Sequence, residues 1–318
     1  MTPLRAYYRI WGYWSKKLKG HPDRAKFMAL KFVEILIFAL SPDAPPPDRP
    51  PYKPFPPATK NAVPESPTIA LVVPCYIKDE MGKQQLEMLI RTIQQQTRQP
   101  DWIILVDDAS PFSYDLDSPV EIIRLAPNGG PARARNAGKA RAEELGADII
   151  AFTDSDCRLS PTWVETIIEA FQTSREFQIL SGNTLSYGNS WFDNYHEING
   201  TLNGRQFKDS NRLLYGTTAN LAITRNVNQQ IGFNDKFPSA AGEDIEFCFR
   251  ANEFGYAIGY IPAMVVYHDF NYSNSLQDNL QKFVNLFRKY AAGQPRLLKI
   301  IPNYYDYLDK TEGIRREH

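Results

Sequence analysis

Two carboxylates one residue apart close an apolar run at Ala151-Phe-Thr-Asp154-Ser-Asp156. Acids held that close repel each other unless a cation lies between them, and hard oxygen ligands favour Mg²⁺ or Mn²⁺. A solvated turn is the alternative for any single Asp-x-Asp. A second acid pair, Glu243-Asp244, follows Gly242 and opens an amphipathic stretch. The helix dipole favours acids there, so the pair reads either as a cap or as reactive carboxylates. A third pair, Asp107-Asp108, ends another apolar run, where both acids cannot be buried uncompensated. One of them can accept from a pyrimidine N3–H, or the pair can cap a turn with Ser110. Asn128-Gly129-Gly130 permits positive φ close to a ligand and leads into a helix carrying Arg133 and Arg135. A helix N-terminus beside a guanidinium is a diphosphate site. Arg135 is the candidate contact, and Arg133 falls on a different face, toward solvent.

These groups need a frame. Apolar runs predict strands at 69–74, 102–106, 120–125 and 148–153. Helical spacing predicts helices over 81–96, 131–145 and 161–174. Strand, helix, strand, strand, helix, strand implies a parallel nucleotide-binding half-domain with right-handed crossovers. Asp107, Asp108, Asp154 and Asp156 then sit at carboxyl ends of strands, where open α/β sheets bind ligands. The dinucleotide fingerprint Gly-x-Gly-x-x-Gly is missing after the first strand, which argues against an NAD enzyme.

Five segments together resemble the GT-A glycosyltransferases, and family 2, the inverting nucleotide-sugar transferases, most of all. They are Val72-Val-Pro-Cys-Tyr76, Val106-Asp-Asp-Ala-Ser110, Asn128-Gly-Gly-Pro-Ala-Arg-Ala-Arg-Asn-Ala-Gly138, Asp154-Ser-Asp156 and Gly242-Glu-Asp-Ile-Glu-Phe247. The resemblance spans residues 68–270. It implies an α/β GT-A domain: a Rossmann-like nucleotide-binding half with a mixed central sheet, plus an acceptor-binding half. It further implies that Pro74, Tyr76 and Glu80 wrap base and ribose, and that Asp107 and Asp108 favour a uracil or thymine edge. Asn128, Gly129, Arg135, Asp154 and Ser155 would complete the nucleotide-sugar contacts. Leu213 to Arg225 resembles the segment framing donor sugar and acceptor, with Asn220 bonding hydroxyls. A histidine ending the strand Val265-Val-Tyr-His268 would join Asp156, with Asp154 nearby, around Mn²⁺ or Mg²⁺. Asp244 is then the expected general base and Glu243 positions hydroxyls, although the two roles are exchangeable. The implied reaction moves a sugar from a UDP- or dTDP-sugar to a hydroxyl of a saccharide or lipid-linked acceptor in one inverting displacement. Two other readings stay open: a non-catalytic sugar- or partner-binding scaffold, and a nucleotidyltransferase. The latter wants a Gly-rich basic loop after the first strand, and Pro74-Cys-Tyr-Ile-Lys78 is not one.

Composition sets outer bounds. The chain has 318 residues, a formal charge of zero, 43% hydrophobic and 23% charged residues. That balance argues against nucleic acid as the main partner, since phosphate binding needs a net basic face. Three scattered cysteines (Cys75, Cys157, Cys248) suggest a reducing, cytoplasmic setting without a disulfide framework. The first 31 residues nevertheless carry eight Lys and Arg against Asp23 alone, interleaved with aromatics. The apolar run at 32–40 is too short to span a bilayer. The 1–41 arm therefore reads as an interfacial anchor on the anionic inner membrane face, as a helical hairpin packed on its own body or a dimer partner, or as a loose arm. Eleven prolines between Pro42 and Pro67 predict an extended spacer, with an SH3-type ligand as the sharper alternative. His196 falls in the acceptor half, while His21 and His318 look peripheral. In the 271–318 extension, a helix from Leu276 to Ala292 and the aromatic run Tyr304–Tyr307 could cover the acceptor site, touch membrane or mediate dimerisation.

Overall fold

The computed structural model describes residues 12–40, 48–116, 118–237 and 239–313. Helix α1 (Arg24–Ala39) precedes strand β1 (Ile69–Cys75), whose first five residues are fully buried. That is what a strand covered on both faces requires of its sequence, a continuous apolar run without alternation. Helix α2 (Glu80–Gln94) starts at Asp79, whose carboxylate accepts from the Gly82 amide. It buries Leu86, Leu89, Ile90 and Ile93, one stripe at helical spacing. Strands β2 (Trp102–Asp107) and β3 (Glu121–Arg124) follow. Helix α3 (Pro131–Glu144) opens with proline at its first turn, after Gly130 at φ +85°. Its Gly138 lies against β1 so closely that a Cβ there would strike the Val72 side chain.

Beyond β4 (Ile149–Phe152) the sheet ceases to be purely parallel. Strand β5 (Cys157–Leu159), helix α4 (Trp163–Thr173), strand β6 (Ile179–Ser186) and helix α5 (Trp191–Asn199) come next. Short strands β7 (Arg205–Phe207) and β8 (Leu213–Tyr215) precede a 3₁₀ turn at Thr218–Asn220, strand β9 (Leu221–Thr224) and helix α6 (Arg225–Gln230). Helix α7 (Glu243–Glu253), strand β10 (Ile258–His268), helix α8 (Leu276–Ile300), helix α9 (Tyr304–Leu308) and strand β11 (Thr311–Gly313) complete the described chain.

The eight-stranded sheet runs β3-β2-β1-β4-β9-β6-β10-β5. β9 is antiparallel to both β4 and β6, β5 is antiparallel to β10, and the remaining pairs are parallel. One edge therefore collects the ends of β1, β2, β4, β6 and β10 with the starts of β9 and β5. The register His268↔Cys157 sets Asp156 next to His268. Two apolar clusters cover the two faces of the sheet, one under α2 and α4, the other under α3 and α7. β11, β7 and β8 form a separate three-stranded sheet.

The expected appendages are part of the body. Helix α1 buries Phe27, Met28 and Leu30 in one cluster with Phe192 and Tyr195 of α5 and Phe283 and Phe287 of α8. The described part of the arm, residues 12–40, thus packs through one face on its own chain. Residues 48–67 are extended as their prolines demand, yet they are strapped down and do not act as a spacer. Phe55 stacks on Tyr307 at 4.9 Å and meets Phe249 at 5.2 Å. Arg49 pairs with Asp306 at 2.8 Å, and Asn61 donates to the carbonyls of Phe171 and Phe177. Residues 1–11 and 41–47, with the ends of the expected arm and the start of the expected linker, lie outside the described residues, as does His318. Helix α8 extends past the expected Ala292 to Ile300, continuing through Gly293 and Pro295.

Candidate active site

The β4 end and the start of α7 meet through Arg135 on α3. This guanidinium is buried, and its two terminal nitrogens each donate to a carboxylate at 2.9 Å, Nη1 to Glu243 Oε1 and Nη2 to Asp154 Oδ1. Sequence reading assigned Arg135 to a diphosphate. In the structure both its ends are taken, and it works as a bridge between the two acid pairs. Glu243 Oε2 and Arg135 Nε are buried and have no hydrogen-bond partner among the described residues.

Asp244, beside Glu243, is only partly buried, and its Oδ1 accepts from the Ile245 amide at 2.8 Å. Burial and then the neighbouring Glu243 push its pKa up to about 7, while Arg135 pulls in the opposite direction. Around it stand Asp154 and the phenols of Tyr215, Tyr290 and Tyr304. Tyr290, on α8, was not singled out from the sequence. Burial raises its pKa, and the charges of Asp244, Asp154, Glu243 and Asp156 add to that rise. No local pattern marks it, because the packing of α8 against this edge is wholly long-range.

On the other side of Asp154, Asp156 Oδ1 lies 3.3 Å from His268 Nε2. Burial raises the Asp156 pKa, His268 opposes the rise and Asp154 adds to it. Cys157 completes a group whose ligand atoms all lie within 4.8 Å of one another. Its thiol is fully buried and its pKa pushed well above the ordinary value by that burial, so it is a poor ligand. What remains, a carboxylate oxygen and an imidazole nitrogen with a second carboxylate two residues away, is a mixed oxygen and nitrogen donor set that fits Mn²⁺ better than Mg²⁺. The buried His268 Nδ1 also lacks a partner among the described residues.

Other expected residues line the same edge with different accessibility. Pro74 is half-buried, while Tyr76 is 43% exposed, with Lys78 Nζ 5.3 Å from its ring centroid. Glu80 is exposed on the first turn of α2, 3.7 Å from Lys83. Ser155 is half-buried between the two aspartates. Asp107 and Asp108 are both buried, and each is compensated by backbone. Asp107 Oδ1 accepts from the Ser110 amide at 2.8 Å, the turn-capping alternative, and its other oxygen is 3.7 Å from Arg124. Asp108 accepts from the amides of Gly129 and Gly130 at 2.9 and 2.7 Å, while Asn128 Nδ2 donates to the Asp108 carbonyl. The glycine loop is therefore shaped by Asp108. Arg133 lies partly exposed and donates to the Pro127 carbonyl at the surface.

Asn220 is fully buried. Its Nδ2 donates to the Met264 and Asn183 carbonyls and its Oδ1 accepts from Trp163 Nε1 at 2.9 Å. Fully buried with both amide donors engaged, this side chain braces β9 against β6 and β10 and is out of reach of a sugar hydroxyl. His196 is likewise internal: it bonds Thr201 at 3.0 Å and Tyr272 at 2.7 Å and stacks on Phe270 at 4.0 Å. Burial lowers its pKa to about 3, so it is a neutral packing residue.

A family model described as "Glycosyl transferase family 2" matches residues 70–232, half of the chain. The chain belongs to glycosyl transferase family 2. Polypeptide N-acetylgalactosaminyltransferase 3 of Drosophila melanogaster is 28% identical over 204 residues, covering 54% of this chain and 30% of that protein. The pre-mycofactocin glycosyltransferase of Mycobacterium tuberculosis is 25% identical over 179 residues, covering 52% and 37%. The chain thus spans about a third of the length of these curated relatives. A crystal structure of GalNAc-T7 with UDP, GalNAc and Mn²⁺ superposes with a TM-score of 0.50 at 14% identity, covering 77% of this chain and 55% of that one. The family 2 domain has the GT-A fold, an α/β architecture around a mixed central sheet.

Proposed function

We propose that this family 2 domain transfers a sugar from a nucleoside-diphosphate donor to an acceptor hydroxyl in a single inverting displacement. The observation that carries the reading is the Asp154–Arg135–Glu243 bridge, which ties an Asp-x-Asp and its adjacent histidine to an acid, Asp244, with a pKa of about 7. A general base works best when its pKa lies near the operating pH.

Asp156 and His268 would hold a divalent ion, with Asp154 adjacent. When bound, that ion supplies charge neutralisation for the departing nucleoside diphosphate. The chain's own residues do the rest. The Gly129 and Gly130 amides are taken by Asp108, so the amino end of α3 would face the phosphates with the positive end of its helix dipole. Tyr76 offers an exposed ring for the base. Asp244 accepts the proton of the acceptor hydroxyl as that oxygen bonds to the anomeric carbon from the side opposite the leaving group. Glu243, fixed by Arg135, orients hydroxyls through its unpartnered Oε2. The structure of GalNAc-T7, solved with UDP, GalNAc and Mn²⁺, supports testing UDP-sugars, N-acetylhexosamines among them, before dTDP-sugars.

The test is a nucleotide-sugar panel with Mn²⁺ or Mg²⁺, following nucleoside diphosphate release with saccharide and lipid-linked acceptors, and Asp244→Asn alongside. Metal-dependent turnover of one donor, lost in the variant, is the expected result. Absence of both turnover and a donor-induced thermal shift across the whole panel would overturn the reading. The anomeric configuration of the product, read by NMR, tests inversion.

A further inference from the structure

Helix α1 is apolar on two faces, with Phe27, Met28, Leu30, Val33, Ile37 and Phe38 packed inward. Its charged residues past the first turn, Lys31 and Glu34, point into the protein. They pair with each other at 2.8 Å, Lys31 donates to Asn199, and Glu34 accepts from the Tyr195 hydroxyl. The opposite face carries Ala25, Ala29, Phe32, Leu36, Ala39 and Leu40, spaced three or four apart, and every one of them is exposed. Phe32 and Leu36 are each 43% exposed and Leu40 is 84% exposed. A surface helix normally keeps its apolar stripe toward the core and its charges outward. An outward apolar face opposite an inward ion pair implies a second apolar medium on the outside.

Charge identifies that medium. Residues 12–40 hold six Lys and Arg against two acids, and α8, which packs on α1, holds five against Asp278 alone. This helical layer therefore carries an excess of eight positive charges on a chain whose formal total is zero. Lys16, Lys19, Arg24 and Lys26 are exposed beside the start of α1, and Arg288, Lys289 and Lys299 are exposed on α8. Leu276 and Leu280 add apolar surface at the free end of α8, 62% and 40% exposed. No helix among the described residues is long and apolar enough to cross a membrane.

We propose that the outer face of α1, with the adjoining basic residues of α8, seats on an anionic lipid surface, so that the protein lies on the membrane plane through this two-helix layer. Apolar side chains enter the acyl boundary while the flanking cations meet headgroup phosphates. A second copy of the chain fits the same face poorly, because a two-fold contact would set one strongly basic layer against another. Helix α8 also runs from this layer to the catalytic edge, where Gly293 rests against Ala241. The membrane-seated layer thus reaches the loop before Glu243, on the acceptor-binding half.

The test uses the full chain in co-sedimentation with vesicles of phosphatidylcholine alone and of phosphatidylcholine mixed equally with phosphatidylglycerol, at low and high salt. Salt-sensitive binding to the anionic vesicles is expected, weakened by roughly tenfold or more in Phe32→Ser/Leu36→Ser and in Arg288→Glu/Lys289→Glu. Thermal midpoints of both variants should match the parent, because these side chains are exposed. Failure of the parent to sediment, equal binding to neutral vesicles, or unchanged binding by the variants would overturn the proposal. A solution dimer that Phe32→Ser/Leu36→Ser dissolves, without vesicle binding, would assign the face to a second copy instead. A large fall in thermal midpoint for that variant would show that the face is packed internally.

Discussion

Asp244 is a carboxyl group whose folded pKa of about 7 stands above the ordinary 3.8, mainly through burial. Two consequences follow with opposite signs. For catalysis, the base form appears only as pH rises, so kcat/KM should climb through about pH 7 and then level off. Asp244→Asn should lower kcat by about 10²–10⁴ and abolish that rise, measured by diphosphate release across a pH series. For stability, the folded state holds between pH 3.8 and about 7 a proton that the unfolded state has released. This contribution is complete below pH 3.8 and is lost as pH rises through about 7. Asp244→Asn should therefore melt no lower than the parent at pH 8, a combination of inactivity with retained stability that a merely structural acid would not give. Arg135 should behave in the reverse way. Its removal strands Glu243, whose side chain is 3% exposed, whereas Asp154, 30% exposed, still meets water. Arg135→Met is expected to destabilise by about 3 kcal/mol, the lower end of the range for breaking a buried pair, in urea unfolding.

Elements place these residues, and their legibility depended on how local their cause is. Strands β1, β2 and β4 and helices α2 and α3 were readable within a residue or two. Apolar runs, the Asp79 cap and the Pro131 start are all signals that a segment carries within itself. The mixed half of the sheet and the separate small sheet were not readable strand by strand, since β5 in the one and β7 and β8 in the other have only three residues each. The meeting of the acid pairs was expected, but not its agent, because Arg135 and Glu243 are 108 positions apart. Asn220 misled because a polar residue in a small, Gly-containing segment reads the same whether it faces a ligand or braces three strands. Gly293 is a case where the element itself is testable. A Cβ there would collide with the backbone carbonyl and Cβ of Ala241, on the loop that leads into Glu243. Gly293→Val should push α8 off that loop, lowering stability by about 1–3 kcal/mol and activity more than substrate binding, read as a fall in kcat at nearly constant KM.

At the scale of the whole molecule, the domain boundaries suggested by composition dissolve. The proline-rich segment from residue 48 onward is extended because proline leaves it little else, but its aromatic and carbonyl groups have found partners. Tyr307 donates to the Lys53 carbonyl at 2.8 Å, and Arg212 donates to that of Pro56 at 3.0 Å. Phe55 lies among Phe207, Phe249 and Tyr307. Helix α1 in turn covers Tyr195 of α5 and Phe283 and Phe287 in the first half of α8. Removing the first 60 residues therefore does not release a catalytic core from a tether. It uncovers two apolar clusters and strands the Asn199 and Tyr195 partners of Lys31 and Glu34. The truncated chain should aggregate or melt well below the parent, by ten degrees or roughly more given several buried aromatics. Differential scanning calorimetry with analytical sedimentation checks this directly. A truncated protein that stays monomeric with the parent's midpoint would show that α1 and the strap are appendages after all. It would also return the membrane question to the arm alone, because α8 would then keep its place without α1.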